Sequence, residues 1–155
     1  MVTEGCDINQ EDYTGDKLLV WAADNGHEGV VKMLLGRGEV NPDKADKICR
    51  TPLCRAAQHG HEGVVKMLLE RDDGSPDKPA IFGQTPLHRA ALPGHEEVVK
   101  VLFGRDGVNP DKPDSLGQTP LCRAAEYGHE GVVEMLLARD EVNPSRPDND
   151  DQTPL

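Results

Sequence analysis

Four histidines, His27, His61, His95 and His129, recur at intervals of 34 residues, each directly after a glycine. Imidazole moves protons near neutral pH and is the commonest metal ligand, so a regular set of four invites both readings. A catalytic centre, however, needs unlike groups converging on one place. A residue that returns in every copy of a repeat serves the copy instead, and these histidines are expected at a structural bend. Cys54, His59 and His61 are the closest approach to a metal set. Their spacing matches no familiar zinc pattern, and Cys54 and His61 fall on different predicted helices, so no metal site is expected. Cys54 and Cys122 hold the same position two units apart, too far for a disulfide. The run "GRGEVN" at 36–41 follows a predicted helix and lacks the Lys-Ser/Thr of a phosphate loop. No catalytic set, metal or cofactor is expected, and an enzyme ranks behind binding and structural readings.

A second set has the same interval: Arg55, Arg89 and Arg123, with Trp21 at the equivalent first position. Stacked units would align them as a ladder. Each guanidinium can pair with a nearby acid, the readier explanation where 28 Asp and Glu face 17 Lys and Arg. The other use is a basic stripe that holds an acidic or carboxylate-bearing peptide. A net charge of −11 gives no general support for binding nucleic acid or an anionic membrane. No signal peptide is visible, and no apolar run approaches the ~20 residues of a membrane span. The four cysteines, Cys6, Cys49, Cys54 and Cys122, show no framework spacing. They are expected as free thiols in a reducing, cytoplasmic compartment.

These residues must be positioned by a repeat. Thr-Pro-Leu occurs at 51, 85, 119 and 153, and "VVKMLL" at 30 returns as "VVKMLL" at 64, "VVKVLF" at 98 and "VVEMLL" at 132. Residues 51–84 and 119–152 share 21 of 34 positions, which marks an array of stacked units. Each unit reads as two short helices. Thr51, Thr85 and Thr119 are placed to N-cap the first, with Pro at its first position. Leu53, Ala56 and Ala57 form one apolar stripe. Gly26, Gly60, Gly94 and Gly128 break the first helix. The second carries Glu62 in its first turn and Arg71 near its end, which suits the macrodipole. Val64, Val65, Leu68 and Leu69 supply its buried face. A polar, Pro-rich stretch follows, such as "NPDKPDSLGQ", and predicts an extended arm closed by a turn.

The stretch "GQTPLHRAALPGHEEVVKVLF" and its sisters resemble the ankyrin repeat, over nearly the whole chain. The resemblance implies an all-α, ankyrin-type solenoid of stacked antiparallel helix pairs. Projecting β-turn fingers and the first helices would form a concave binding face. The repeat style is similar to the highly self-similar ankyrin arrays of fungal proteins, including the sensor arrays of fungal NOD-like receptors. Three departures stand out. The arm carries two extra residues while the bend before it is one shorter. The His of Thr-Pro-Leu-His survives only as His88, its place taken elsewhere by Val20, Cys54 and Cys122. The first unit reads Lys17-Leu18-Leu19, so its helix start should lose about 1 kcal/mol of capping unless Asp16 substitutes. The units are 17–50, 51–84, 85–118 and 119–152. A partial finger arm occupies 1–16, and the start of a truncated unit occupies 153–155. The chain is therefore expected to be a segment of a longer array whose uncapped end faces expose apolar surface and fray first.

Columns that differ between units are free to drift or are reading something. They cluster after each Ala-Ala pair (Asp24-Asn25, Gln58-His59, Leu92-Pro93, Glu126-Tyr127) and at the finger tips (Tyr13-Thr14, Lys47-Ile48, Ile81-Phe82, Ser115-Leu116, Asn149-Asp150). Exposed drift should be polar, yet Ile48, Ile81, Phe82, Leu92, Leu116 and Tyr127 are apolar or aromatic. Such a cluster suits an interface anchor; packing of Ile81 and Phe82 on the neighbouring finger is the rival explanation. The expected partner-binding residues are Trp21, Lys47, Ile48, Arg55, Gln58, His59, Ile81, Phe82, Arg89, Leu92, Ser115, Leu116, Arg123, Glu126 and Tyr127. The expected function is non-catalytic recognition of a protein or peptide by a monomer, or by a chain that self-associates weakly through its ends. The second reading is a structural spacer or intramolecular scaffold.

Overall fold

The computed structural model describes residues 16–46, 49–72 and 74–154. The expected partial arm at 1–16 (all but Asp16), Lys47, Ile48 and Leu155 lie outside them. Eight α-helices alternate in two layers: α1 Asp16–Asp24, α2 Glu28–Leu35, α3 Pro52–Gln58, α4 Glu62–Leu69, α5 Pro86–Ala91, α6 Glu96–Phe103, α7 Pro120–Glu126 and α8 Glu130–Leu137. Among the described residues there is no strand. The odd-numbered helices pack in succession, the even-numbered helices do the same, and each odd helix packs on the even one that follows.

Each first helix starts where the sequence indicated. Thr51, Thr85 and Thr119 are extended, and each side chain accepts a hydrogen bond from the backbone N–H three residues on. Pro at the next position sacrifices no hydrogen bond, because the first helical N–H has no intrahelical partner anyway. Asp16 is the first helical residue of α1 rather than the residue before the helix. In α5 the capping is reciprocal, since His88 Nδ1 accepts from Thr85 N at 3.2 Å.

The bends use left-handed glycine. Gly60 has φ +71°, and a Cβ there would come within 2.8 Å of the His95 ring. Only glycine provides both the backbone conformation and the room for a neighbouring histidine. The even helices then bury a Val/Leu stripe, for example Val64, Val65, Leu68 and Leu69. With Leu53, Leu87, Leu121 and the Ala residues beside them they form one continuous core, and among the described residues no Phe, Tyr or Trp is buried in it. Small side chains suffice because each layer is one helix thick and packs only on its neighbours.

Arg71 does not sit on its own helix as expected. It lies beyond α4, and its Nη1 donates to the Leu35 carbonyl at 2.7 Å, satisfying the free C-terminal end of the preceding unit's α2. The outermost pairs expose columns that inner pairs bury. Val30 is 39% exposed where Val64 and Val98 are 0–1%, and Leu137 is 43% exposed where Leu69 is 6%.

Candidate functional site

Each odd helix after α1 is preceded by an arm and a finger. Asn109 begins its arm by accepting the Asp111 N–H at 2.9 Å, and Asn41 and Asn143 do the same for Asp43 and Ser145. The arms are cross-stitched. Lys78 donates to the Asp43 carbonyl, Lys112 to Asp77, and Arg146 to the Asp111 carbonyl and carboxylate. The finger is a β-turn closed by the N–H of Cys49, Gly83, Gly117 or Asp151 onto the carbonyl three residues back. All four closing residues have positive φ.

Asp114 and Asp148 brace their turns by accepting two backbone N–H groups each. Burial would raise the Asp114 carboxyl, but bonds from Leu116 N, Arg123, Gln118 N and Gln84 outweigh it and hold it below the usual range. The finger at 80–84 has Ala80 in that position. It closes as a single 3-10 turn, with Phe82 itself at φ 60°, ψ 24°. Fingers join their neighbours through backbone: Ser115 N donates to Phe82 O at 2.9 Å, and Asn149 N to Leu116 O at 3.0 Å.

The recurrent histidines are stitches. His61, His95 and His129 each precede an even helix and present Nε2 to the carbonyl of Asp24, Gln58 and Leu92, at 3.0, 3.1 and 2.8 Å. A carbonyl can only accept, so Nε2 is the donor in each. The sequence indicated a bend residue; the bond to the preceding unit was missed. Its signal is the constant offset of 34 residues shared by the His and the helix end that it reaches.

The thiol and the capping imidazole are equally unsuited to reaction chemistry. Cys54 is buried, and loss of solvent pushes its thiol up to about 11, so it stays protonated at neutral pH. Burial lowers His88 to about 4, and both its nitrogens are used, Nε2 on the Gln118 carbonyl at 3.0 Å. Among the described residues no group of three or more His, Cys, Asp or Glu side chains could hold a metal ion. The expectation of free thiols holds for Cys54 and Cys122 and fails at Cys49, which is disulfide-bonded. Spacing along the chain is a poor guide in a stacked array, because neighbouring units bring distant residues together.

The Arg ladder divides. Arg55 Nη2 lies 2.6 Å from Asp24 Oδ1, and Arg55 Nη1 donates to Gln58 Oε1 at 3.0 Å. Arg123 pairs with Asp114 at 3.1 Å and with Glu126 at 3.4 Å. The Arg89 guanidinium, between them, has neither ion pair nor hydrogen bond among the described residues. His59 Nε2 also meets Asp24, at 3.1 Å, and its ring stacks on His61. Burial lowers the pKa of His59, against the pull of Asp24.

Of the apolar residues, Trp21 is 60% exposed, Phe82 65%, Leu116 57%, Tyr127 56% and Ile81 38%. Leu92 departs from expectation and is half-buried, as the C-cap of α5 whose carbonyl receives His129. Ser115 and Glu126 are exposed and Gln58 is half-buried.

A family model for ankyrin repeats in three copies matches residues 1–80 and 72–148. The chain belongs to the ankyrin repeat family. Ankyrin repeats serve generally as protein–protein interaction modules and are typically non-catalytic. No curated protein matches this ankyrin chain significantly. Among its described residues no helix is long and apolar enough to cross a membrane.

Proposed function

We propose that the face built by the fingers and odd-numbered helices binds a protein or peptide, with Trp21, Phe82, Leu116 and Tyr127 as apolar anchors. The observation that carries this reading is Phe82. It is the most exposed of these side chains, and its backbone lies in the left-handed region, a conformation that costs a bulky residue on the order of 1 kcal/mol. An exposed aromatic side chain on a strained backbone suits contact with a partner. The chain has one Trp, two Tyr and two Phe, and three of these five are spent on this one face.

The self-similarity of the units supports a further reading: a ligand-sensing array of a larger cytosolic protein of the fungal receptor kind. The free thiols of Cys54 and Cys122 fit a reducing compartment, and the Cys49 disulfide does not. The rival role as a spacer draws on the finger-to-finger backbone bonds, which would hold the fingers whether or not a partner exists.

Random-peptide display on the immobilised full chain, followed by amide chemical-shift mapping of an enriched peptide, tests the proposal. Shifts should cluster at 81–83, 115–117, the exposed side of α1 and the end of α7. Shifts confined to the even helices would sink it.

A further inference from the structure

The three ladder arginines occupy equivalent positions but not equivalent surroundings. Arg55 takes its acid from 31 residues back, Asp24; the same offset from Arg89 reaches Gln58, and from Arg123 it reaches Leu92. Arg123 takes its acids from nine residues back, Asp114, and from three residues on, Glu126. From Arg89 those offsets reach Ala80 and Leu92. All three columns that could supply a carboxylate are neutral at Arg89 alone, and the Gln58 amide oxygen is already engaged by Arg55. After burial, the groups that act on it are the Cys54 sulfur, which favours the charged form, and then Arg55, Arg123 and Arg50, which oppose it.

A half-buried guanidinium without a carboxylate, flanked by other guanidiniums, is a poor arrangement for a free surface. Burial and like charge both disfavour its charged form, and the pKa is lowered accordingly. Loss of the acids also coincides with gain of apolar groups: the finger leading into α5 carries Ile81 and Phe82, and the next carries Leu116.

We propose that Arg89 is the seat for an Asp or Glu side chain of a bound polypeptide, supplied in trans where Arg55 and Arg123 have theirs in cis. The flanking residue of that polypeptide is apolar and rests on the exposed Phe82 and Leu116. This rests on the binding face proposed above and names what that face recognises. The geometry suits a carboxylate, which can accept two parallel N–H groups from one guanidinium.

The test compares the capped dipeptides N-acetyl-Phe-Glu-amide and N-acetyl-Phe-Gln-amide, titrated into the full chain and followed by the arginine Nε–H resonances. The Glu peptide should shift Arg89 saturably and leave Arg55 and Arg123 nearly still, and the Gln peptide should bind at least about tenfold more weakly, as for a lost charge-assisted pair. Arg89→Gln should erase the difference between the peptides. Ala80→Asp, which installs the acid found at Asp114 and Asp148, should also weaken the Glu peptide about tenfold or more while the thermal midpoint is kept. Equal binding of the two peptides, a still Arg89 resonance, or full affinity in Ala80→Asp overturns the assignment. If Phe82 and Leu116 resonances move while Arg89 does not, the face binds by apolar contact alone, and only this inference fails.

Discussion

The third helix pair, α5 and α6, and the fourth, α7 and α8, are built to one plan and finished differently. Both open on Thr-Pro-Leu with a threonine cap, and Leu87 and Leu121 are fully buried at the same place. The next residue is His88 in one and Cys122 in the other. His88 closes a reciprocal cap and reaches the Gln118 carbonyl of the following arm, whereas Cys122 accepts only from the Thr119 hydroxyl at 3.3 Å. In the second unit, Cys54 Sγ reaches toward the equivalent carbonyl, Gln84, at 3.9 Å. The column is thus a bridge to the next arm, strong with imidazole and weak with sulfur. On the outer face the order reverses. Around α7, Arg123 pairs with Asp114 of the finger before it and with Glu126, while at α5 the finger before the helix carries the strained Phe82 and the Arg89 side chain has no ion pair among the described residues. The helix with the best internal capping carries the least satisfied surface, so capping and surface pairing are set by separate columns.

The largest way to break this comparison is in the core. Leu87→Ala should cost about 2–5 kcal/mol in urea unfolding. Leu121→Ala empties the same column in α7, which with α8 forms the last described helix pair. Hydrogen exchange should therefore show local opening of α7 and α8 before global unfolding. Equal and global losses for both variants would contradict the array description.

Next comes acid. Folded His88 is held to about 4 against an ordinary 6.5, so between those values the unfolded chain takes up a proton that the folded chain refuses. Stability attributable to this group is intact above pH 6.5 and falls as the pH drops toward 4, by roughly 3 kcal/mol. His88→Cys, the residue its neighbours use, should flatten that part of the stability profile measured by urea titrations across the range. A retained slope would show that other groups cause it.

Smaller effects separate the caps. Thr85→Ala should cost about 2 kcal/mol and Thr119→Ala about 1 kcal/mol, because only the former dismantles a reciprocal box. Calorimetric midpoints of the two variants check the order. Smallest of all, Phe82→Asn should raise stability by a few tenths of a kcal/mol, since Asn tolerates the left-handed region better than Phe. A clear loss instead would make Phe82 a packing residue.

Much of the fold was legible because the signals are local and repeated. Thr-Pro marks a helix start by chemistry that works within four residues, and Gly-His marks a bend in the same way. The finger tips were legible as exposed apolar positions at Phe82 and Leu116, and the end of α7 at Tyr127. What escaped were contacts between units: Arg71 on Leu35 O, the histidine stitches, and the arm-to-arm bonds from Lys112 and Arg146. Each joins residues about one repeat apart, and one-dimensional periodicity shows that a column is constant without showing what it touches. Leu92 was misjudged for the same reason, as its burial depends on the next unit. The ladder could be split only once each guanidinium was traced to its own acid.

The most direct measurement pairs titration calorimetry of a display-selected peptide with thermal unfolding, on the native chain and on a Phe82→Ser, Leu116→Ser, Tyr127→Ser variant. The account predicts that affinity falls about 100-fold or more, as for loss of clustered hot-spot side chains. The midpoint should stay within about 3 °C, as for exposed substitutions. Retained affinity, or a midpoint that collapses together with binding, would contradict it.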